Sequence, residues 1–342
     1  MRCQMVKTVA ALCLLGVLAV ANPASADTVR FGVTKIANCA PIAIALAKGY
    51  FAAEGIEPQL TIFESQAPIA VAVASGDLDF GDAAETVALY NLAAGGRTAI
   101  IASGISEAPT FHALALIASN QAYAAGLRSA KDLPGHSFGL TQMGTGLQYG
   151  LGRIAKKEGF DVSTVKLMPL QSNPNIASAL VGGRVDAAVF DSTNAQPLID
   201  KGEVKLLGWA GDMTGYTPAF LVFAARDMLD NHADTVKRFL TAYRKATRDY
   251  YDAFTDARGD RQDQPNAAAT LDIIAKWVGQ PPASVALGLP YMDREAQVDV
   301  TAIQDQIDWY RSVGALKGDA SAANVIDKRY AIERSTTQTA AH

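Results

Sequence analysis

Apolar and polar positions over residues 176–196 describe one structural unit, made of a helix end, a turn, a buried strand and a polar loop. Apolar residues at helical spacing fill 176–181, and two glycines end this helix, because glycine enters the left-handed conformation without a Cβ penalty. The run 185–190 is apolar except for one aspartate, which is typical of a strand covered on both faces. Polar residues at 191–194 then supply N-cap side chains for a following helix.

The same unit occurs earlier in the chain, at an offset of 107 residues. Residues 65–79 align with 172–186, which brings Gly76 onto Gly183 and Asp79 onto Asp186. At the same offset the segment 31–34 meets 138–141, and between these blocks the register slips by three residues and recovers. The repeat predicts two similarly built lobes.

Similar patterns predict the other elements of both lobes. Strands are predicted over 28–34, 57–63, 77–80, 98–103, 111–119, 137–141, 166–170, 185–190, 205–209 and 216–224, and helices over 42–53, 66–75 and 83–94. Such alternation implies a mostly parallel sheet with covering helices. We therefore expect an α/β fold with two lobes, each a central mostly parallel sheet covered by helices, joined by two crossing strands at 111–119 and 216–224 that act as a hinge.

Beyond residue 230 the pattern becomes helical. Apolar stripes at helical spacing predict core-facing helices that pack on the first lobe. The stripes are Val236, Phe239, Leu240, Tyr243, Tyr250 and Phe254, then Leu271, Ile274 and Trp277, then Ile303, Ile307 and Tyr310. We expect lobe 1 to comprise 27–114 and 220–334, lobe 2 to comprise 115–219, and residues 335–342 to form a disordered tail.

The first 26 residues have the pattern of a secretory signal peptide. Two basic residues precede an apolar core over 9–20, which is too short to span a membrane, and Ala24-Ser25-Ala26 forms the cleavage site. The mature chain would begin at Asp27 and keep Cys39 as its one cysteine, so an internal disulfide cannot form. We expect a soluble protein exported to the periplasm.

Charge and motif content exclude several classes of function. The net charge is −4 and no basic stripe is present, which argues against a nucleic-acid partner. No later apolar run approaches the length of a membrane span, so membrane insertion is not expected. The four histidines are widely spaced and no metal-binding or hydrolase motif occurs, so no metal, cofactor or enzymatic activity is expected.

In α/β sheets, ligands bind beyond the carboxyl ends of the strands, and the loops there are rich in Ser, Thr, Asn, Gln and Gly and lack arginine. Gly144-Thr145-Gly146 lies between a strand and a helix, where free N–H groups suit an anionic or strongly polar group. A dinucleotide site is disfavoured, because Gln171 occupies the position of the required acid. Asn38-Cys39 is the matching position in lobe 1. The alternative is that these residues only cap helices.

Cys39 paired with His112 could in principle serve as a nucleophile, although a lone cysteine beside a helix start is more often a packed small residue. His112 opens an apolar strand, which favours a structural or cleft-wall role. Carboxylates near the loops, such as Glu107 and Asp212, are expected to be caps or solvated groups. If several faced the cleft, they would favour a ligand with donor groups.

Three segments resemble the nitrate/sulfonate/taurine-type periplasmic substrate-binding proteins of ABC importers: 48–56 (KGYFAAEGI), 75–81 (SGDLDFG) and 183–188 (GRVDAA). The resemblance covers roughly 28–255 and implies a two-lobed, type 2 periplasmic-binding fold that closes on its ligand. It also implies cleft contacts near Asn38-Cys39, Glu85-Thr86, Gly144-Thr145-Gly146 and Phe190-Asp191. Many sulfonate binders carry a tryptophan where this chain has Phe190.

We therefore expect a monomeric solute receptor that delivers a small polar molecule to an inner-membrane ABC permease. A sulfonate- or carboxylate-like anion is the favoured ligand, with a neutral heterocycle such as a vitamin or pyrimidine precursor as the alternative. A less favoured alternative is an enzyme of the pyrimidine-synthase type on the same fold. The candidate ligand-binding residues are Asn38, Cys39, Glu85, Thr86, His112, Gly144, Thr145, Gly146, Asn173, Phe190, Asp191 and Tyr216.

Overall fold

The computed structural model describes residues 26–334. The predicted disordered tail and all but the last residue of the predicted signal peptide lie outside the described residues. The strands are β1 (Asp27–Val33), β2 (Ile56–Ile62), β3 (Phe80–Ala84), β4 (Thr98–Ser103), β5 (Ile105–Glu107), β6 (Leu114–Ser119), β7 (Ser137–Leu140), β8 (Lys166–Pro169), β9 (Ala187–Asp191), β10 (Val204–Trp209), β11 (Thr217–Pro218), β12 (Phe220–Ala225) and β13 (Tyr291–Met292).

The helices cover both large sheets and the chain beyond the last long strand. They are α1 (Ala40–Ala47), α2 (Tyr50–Ala53), α3 (Ala67–Ser75), α4 (Val87–Ala94), α5 (Asn120–Ala125), α6 (Gly146–Glu158), α7 (Asn173–Val181), α8 (Ser192–Asp200), α9 (Ala210–Thr214), α10 (Arg226–Asn231), α11 (Ala233–Phe254), α12 (Ala267–Val278), α13 (Pro282–Ala286), α14 (Val300–Ser312) and α15 (Ala322–Val325). Short 3₁₀ turns occur at Ala37–Cys39, Ala130–Asp132 and Val162–Thr164.

Two five-stranded sheets form the framework, with the orders β2-β1-β3-β12-β4 and β8-β7-β9-β6-β10. We call the parts of the chain around them lobe 1 and lobe 2. In each sheet the first three strands are parallel, whereas the fourth strand, β12 or β6, runs antiparallel to both of its neighbours. The α/β class and the two-lobed arrangement are confirmed. Four of the five strands in each sheet run in the same direction, so the sheets are mostly parallel as expected. The fourth strand is the exception, because it enters after the chain has come from the other lobe.

The repeat at 107 residues is confirmed in the strand register. Phe31 lies opposite Phe80 in lobe 1, and Phe138 lies opposite Ala187 in lobe 2, which is the same pairing shifted by the repeat. The glycines that follow the matching helices also correspond, since Gly76 and Gly183 have left-handed φ angles of 83° and 65°. Sequence similarity between the halves therefore reflects equivalent backbone positions.

A small three-stranded sheet of order β11-β5-β13 connects the lobes. The chain leaves lobe 1 through β5 and returns through β11, and the two strands pair antiparallel, with Glu107 opposite Thr217. The predicted crossing strands lie just beyond these, because 111–119 and 216–224 mostly become β6 and β12 inside the large sheets. The assignment of 27–114 with 220–334 to one lobe and 115–219 to the other stays a prediction.

One boundary in lobe 1 was misplaced by the sequence pattern. A strand at 77–80 and a helix from 83 were expected, but the strand β3 covers Phe80–Ala84 and the helix α4 begins at Val87. Polar and small residues within the strand, Gly81 and the fully buried Asp82, hide its apolar character. Residues 81–84, which the pattern placed after the strand or in the helix, thus belong to the strand.

The C-terminal helices cover lobe 1, as their apolar stripes predicted. Phe239 of α11 stacks on Phe80 with ring centroids 4.1 Å apart, and it also contacts Phe31 and Phe51. Ile307 and Tyr310 of α14 belong to the same buried cluster. Lobe 1 therefore holds one large core, whereas the sheet of lobe 2 has a separate, smaller cluster on each face.

Candidate functional site

A cavity of about 440 Å³ is lined by residues of both lobes and of the connecting strands. Its walls come from the carboxyl ends of the parallel strands and the loops after them, where ligands bind in open α/β sheets. Seven of the predicted site residues line it: Asn38, Thr86, Thr145, Gly146, Asn173, Phe190 and Asp191. These seven residues thus lie around one cavity, and their role as ligand contacts stays a prediction.

The helix that begins at this cavity in lobe 2 is α6. The Thr145 hydroxyl donates to the carbonyl of Gln142 at 3.0 Å and does not cap the helix. The first N–H groups of a helix lack partners within it, so the amides of Gly146 and Leu147 are open to a polar ligand group. In lobe 1, by contrast, the Thr86 hydroxyl accepts from the amide of Leu89 at 3.1 Å and caps α4.

Two predicted residues lie behind the cavity wall rather than on it. Cys39 is fully buried, and its Sγ contacts the Thr34 hydroxyl at 3.7 Å. Burial, reinforced by the neighbouring Asp82, raises the pKa of this thiol well above its usual value. Glu85 is likewise buried, and burial raises its pKa to about 8 despite the nearby Gln306 side chain.

Three other predicted residues do not line the cavity either. The His112 ring stacks on Trp209 with centroids 4.5 Å apart, and its Nε2 lies 3.3 Å from Oδ2 of Asp212. The Tyr216 ring lies beneath the guanidinium of Arg334, at 3.9 Å. Gly144 instead joins the lobes, as described below.

The side chains that line the cavity include acids but, in the described part of the chain, no base. Among the described residues that line it there is no arginine, lysine or histidine, whereas Glu64, Glu107 and Asp191 all contribute. Glu64 is exposed at the rim and Asp191 is half-buried. The absence of arginine from the loops was visible in the sequence, but the cavity's acidic balance depends on Glu107.

Glu107 is the cavity residue that the sequence analysis misjudged. A solvated or capping carboxylate was expected, but the side chain is 4% exposed, and neither carboxylate oxygen has a hydrogen-bond partner in the described chain. It ends β5, so its burial follows from the pairing of the two connecting strands. A local pattern of three residues, Ile105-Ser106-Glu107, could not reveal a contact made with a strand more than a hundred residues later.

The two lobes touch beside the cavity. The amide of Val87, at the start of α4, donates to the carbonyl of Gly144 at 2.9 Å. Tyr149 of α6 packs into the core of lobe 1, against Trp309 and Tyr310 of α14. These contacts join α4 and α14 of lobe 1 to the start of α6 in lobe 2.

The sequence profile of the NMT1/THI5-like family matches residues 36–254. Because this match spans more than half of the chain, the protein belongs to the NMT1/THI5-like family. No curated protein sequence matches the chain significantly.

Solved structures show the same fold at low sequence identity. The alkanesulfonate-binding protein SsuA from Xanthomonas axonopodis pv. citri, bound to MOPS, has 19% identity and a TM-score of 0.69, covering 88% of this chain and 98% of its own. A Candida albicans protein with the generic periplasmic binding protein fold has 14% identity and a TM-score of 0.67, and the match covers 91% of this chain and 99% of the other. The desulfurization enzyme DSZB has 14% identity and a TM-score of 0.57, covering 90% and 97%. The fold is thus that of the periplasmic binding proteins, as the resemblance implied.

Two further observations bear on the predicted class. Within residues 26–334, no helix is both long and apolar enough to cross a membrane. No group of three or more His, Cys, Asp or Glu side chains in that part of the chain is arranged to hold a metal ion.

Proposed function

We propose that this protein is an exported solute receptor that binds a small polar organic molecule between its two lobes and delivers it to an ABC permease. The observation that carries the proposal is the cavity formed jointly by both lobes and by the strands that connect them. A molecule held there contacts both lobes at once only when they are closed, so its binding favours the closed form through differential affinity. The permease would recognise that closed form.

Export is supported by the position of the first strand. Strand β1 begins at Asp27, immediately after the predicted cleavage site, and the Asp27 amide donates to the carbonyl of Gly55 at 2.9 Å. Intact-mass measurement of protein secreted to the periplasm should show a chain that begins at Asp27. A retained, lipid-modified N-terminal segment would contradict a freely diffusing receptor.

A receptor role without turnover is supported by the state of Cys39. Nucleophilic catalysis needs the thiolate, and burial beside Asp82 disfavours that form. The side chain also does not line the cavity, so a solute there does not meet the sulfur. The related fold of a desulfurization enzyme makes this the sharpest alternative. Conversion of the bound compound by wild-type protein, abolished by Cys39→Ser, would establish it.

The ligand experiment begins with native protein purified without refolding. Denaturation followed by mass spectrometry should release a small polar molecule, and its titration into ligand-free protein should be measurable by calorimetry. Thr145→Ala and Asn38→Ala, one from each lobe, should weaken binding about three- to a hundredfold, the range for one lost polar contact. Thr164→Ala, which breaks an exposed bond to the carbonyl of Asp161 outside the cavity, is the matched control. No released molecule and unchanged binding in both cavity variants would contradict the proposal.

The charge of the ligand needs a separate argument. The sequence favoured a sulfonate- or carboxylate-like anion because of the open N–H groups at α6. The lining of the cavity does not support that preference, since it includes three acids and no base. The proposed function therefore specifies a polar organic solute without an anionic group as its main recognition element.

A further inference from the structure

One acid in the cavity wall, Glu107, makes no well-formed hydrogen bond within the described chain. Neither of its oxygens has a donor in hydrogen-bond geometry, although the amides of Leu114 and Gly211 lie near the carboxylate, and the side chain is buried in the lining of the cavity. Buried polar groups in native proteins nearly always have a partner, and a buried unpaired charge is especially costly. Because Glu107 is buried in the wall of the cavity without a well-formed hydrogen bond, it points to a donor supplied by the ligand.

A second carboxylate lies on the same side of the cavity. Asp191, at the end of β9, pairs in register with Leu114 of β6, and the Leu114 amide is among the groups nearest to the Glu107 carboxylate. Asp191 accepts the amide and hydroxyl of Thr193 through Oδ1, and the amide of Asn194 also lies near the carboxylate. The two acids thus offer neighbouring acceptors.

The surroundings of Glu107 make the local charge more negative. Besides Asp191, the carboxylate of Asp212 acts on it electrostatically, and Asp212 is the group that faces His112. His112 does not line the cavity and its contact is with Asp212, so it supplies no cation to the site. Once these carboxylates are ionised, they repel an anionic ligand and attract a cation.

The pKa of Glu107 is consistent with a cationic ligand group. Burial, partly offset by the amides of Leu114 and Gly211, raises its pKa to about 8. In ligand-free protein a proton therefore neutralises the acid over much of the neutral pH range. A ligand cation can take over that role, because an opposite charge at close range favours the ionised carboxylate.

We propose that the solute carries a cationic group with N–H donors, such as an ammonium, amidinium or guanidinium, that pairs with Glu107 and reaches Asp191. This inference rests on the proposed receptor function and specifies its ligand class. A metal ion is a poorer fit than an organic cation, because metal sites gather at least three ligands and apolar side chains such as Val189 and Phe190 line the same cavity.

The test uses ligand-free wild-type protein and three classes of small compounds at pH 7. The first class contains primary amines, amidines and guanidines, including benzylamine and benzamidine. The second contains neutral amides and alcohols on the same frameworks, and the third contains the matching sulfonates and carboxylates. Thermal denaturation screens each class, and calorimetry measures the affinity of every compound that raises the melting temperature.

Cations should be the class that stabilises the protein. Glu107→Gln keeps the side-chain shape but removes the charge, and it should weaken binding of those cations about ten- to a hundredfold. Glu57→Gln removes an equal charge from an exposed position of β2 outside the cavity and should leave the affinity unchanged. The melting temperature of ligand-free Glu107→Gln, which should not fall, shows that the variant is folded.

The outcomes separate this inference from the function on which it rests. Stabilisation by sulfonates or carboxylates, weakened by Thr145→Ala and not by Glu107→Gln, would overturn the cation and leave the receptor function intact. Preferential stabilisation by the neutral compounds would also overturn the cationic ligand and leave the receptor function intact. Failure of all three classes, together with no small molecule released from native protein, would contradict the receptor function and the inference together.

Discussion

Lobe 1 and lobe 2 share a strand register and differ in what the equivalent positions carry. In both, an aspartate just before the third strand accepts a backbone amide of the first strand: Asp79 from Arg30 at 2.7 Å, and Asp186 from Ser137 at 2.8 Å. Two positions into that strand the lobes diverge, because the fully buried Asp82 of lobe 1 corresponds to Val189 of lobe 2.

This comparison of the lobes distinguishes side chains that stabilise the shared strand arrangement from side chains that differ with the helices packed on each sheet. The equivalent aspartates Asp79 and Asp186 each accept an amide of the first strand of their lobe, and this contact is repeated. The positions under the covering helices are not repeated: the buried acids Asp82 and Glu85 of lobe 1 correspond to Val189 and Ser192 in lobe 2. Local hydrogen bonds thus stabilise the strand arrangement that both lobes share. Packing against non-equivalent helices determines which residues are buried at the other positions.

The largest expected effect comes from giving lobe 1 the residue of lobe 2. Burial raises the pKa of Asp82 to about 8, and its oxygens have no hydrogen-bond partner in the described chain. Asp82→Val should therefore raise the free energy of unfolding by about 2–4 kcal/mol at pH 8, by removing an unpaired buried carboxylate. Chemical denaturation at pH 5 and pH 8 measures the change.

The stability of the protein should also depend on pH through its buried acids. The folded-state pKa of Asp82, Glu85 and Glu107 lies near 8, above the unfolded value of an acid, about 4. Their contribution to stability is fully present below about pH 4 and is lost as pH rises to 8. Wild-type protein should thus be less stable at pH 8 than at pH 5, and Asp82→Val should reduce that difference. Asp82→Asn, which cannot titrate, should reduce it too; an unchanged slope in both would contradict the role of Asp82.

The next effect tests the feature that the lobes share. Asp79→Ala should cost about 2–3 kcal/mol, because the amide of Arg30 and its guanidinium both lose their acceptor. Asp186→Ala, which frees the amide and hydroxyl of Ser137, should cost about 1–2 kcal/mol.

Equilibrium unfolding in urea compares these two variants. Asp79→Asn, which keeps one acceptor oxygen and loses the ion pair, should fall between Asp79→Ala and wild type. Equal losses for the alanine variants of both lobes would show that the Arg30 ion pair adds nothing to the shared amide contact.

The shared framework could be predicted from the sequence, because the repeat aligns residues that are equivalent in register, such as Phe31 with Phe138. The location of Thr145 and Asp191 at the cavity also followed from their position after strands. The directions of individual side chains could not be predicted in this way. Asn38 lines the cavity, whereas the adjacent Cys39, in the same 3₁₀ turn, is buried in the core. Glu107 was missed because its burial depends on a distant partner strand.

The smallest effect concerns a position where lobe 2 needs glycine and lobe 1 does not. Gly144 corresponds through the repeat to Ala37, yet its φ of 74° is left-handed, a conformation that costs a side chain about 1 kcal/mol. A Cβ there would also lie 3.1 Å from Cγ2 of Val87 in lobe 1. Gly144→Ala should therefore strain the backbone and loosen the contact between the lobes, including the Val87 amide bond to Gly144.

Gly135→Ala separates these two contributions. Gly135 has a left-handed φ of 85°, and a Cβ there meets no atom within 4 Å, so this variant reports backbone strain alone. Both variants should lower the free energy of unfolding by about 1 kcal/mol, with a further few tenths for Gly144→Ala. Only Gly144→Ala should increase the radius of gyration in small-angle X-ray scattering, because only this residue lies between the lobes. Equal radii for both variants would mean that the Val87–Gly144 contact does not hold the lobes together, and closure would then depend on the packing of Tyr149 against α14.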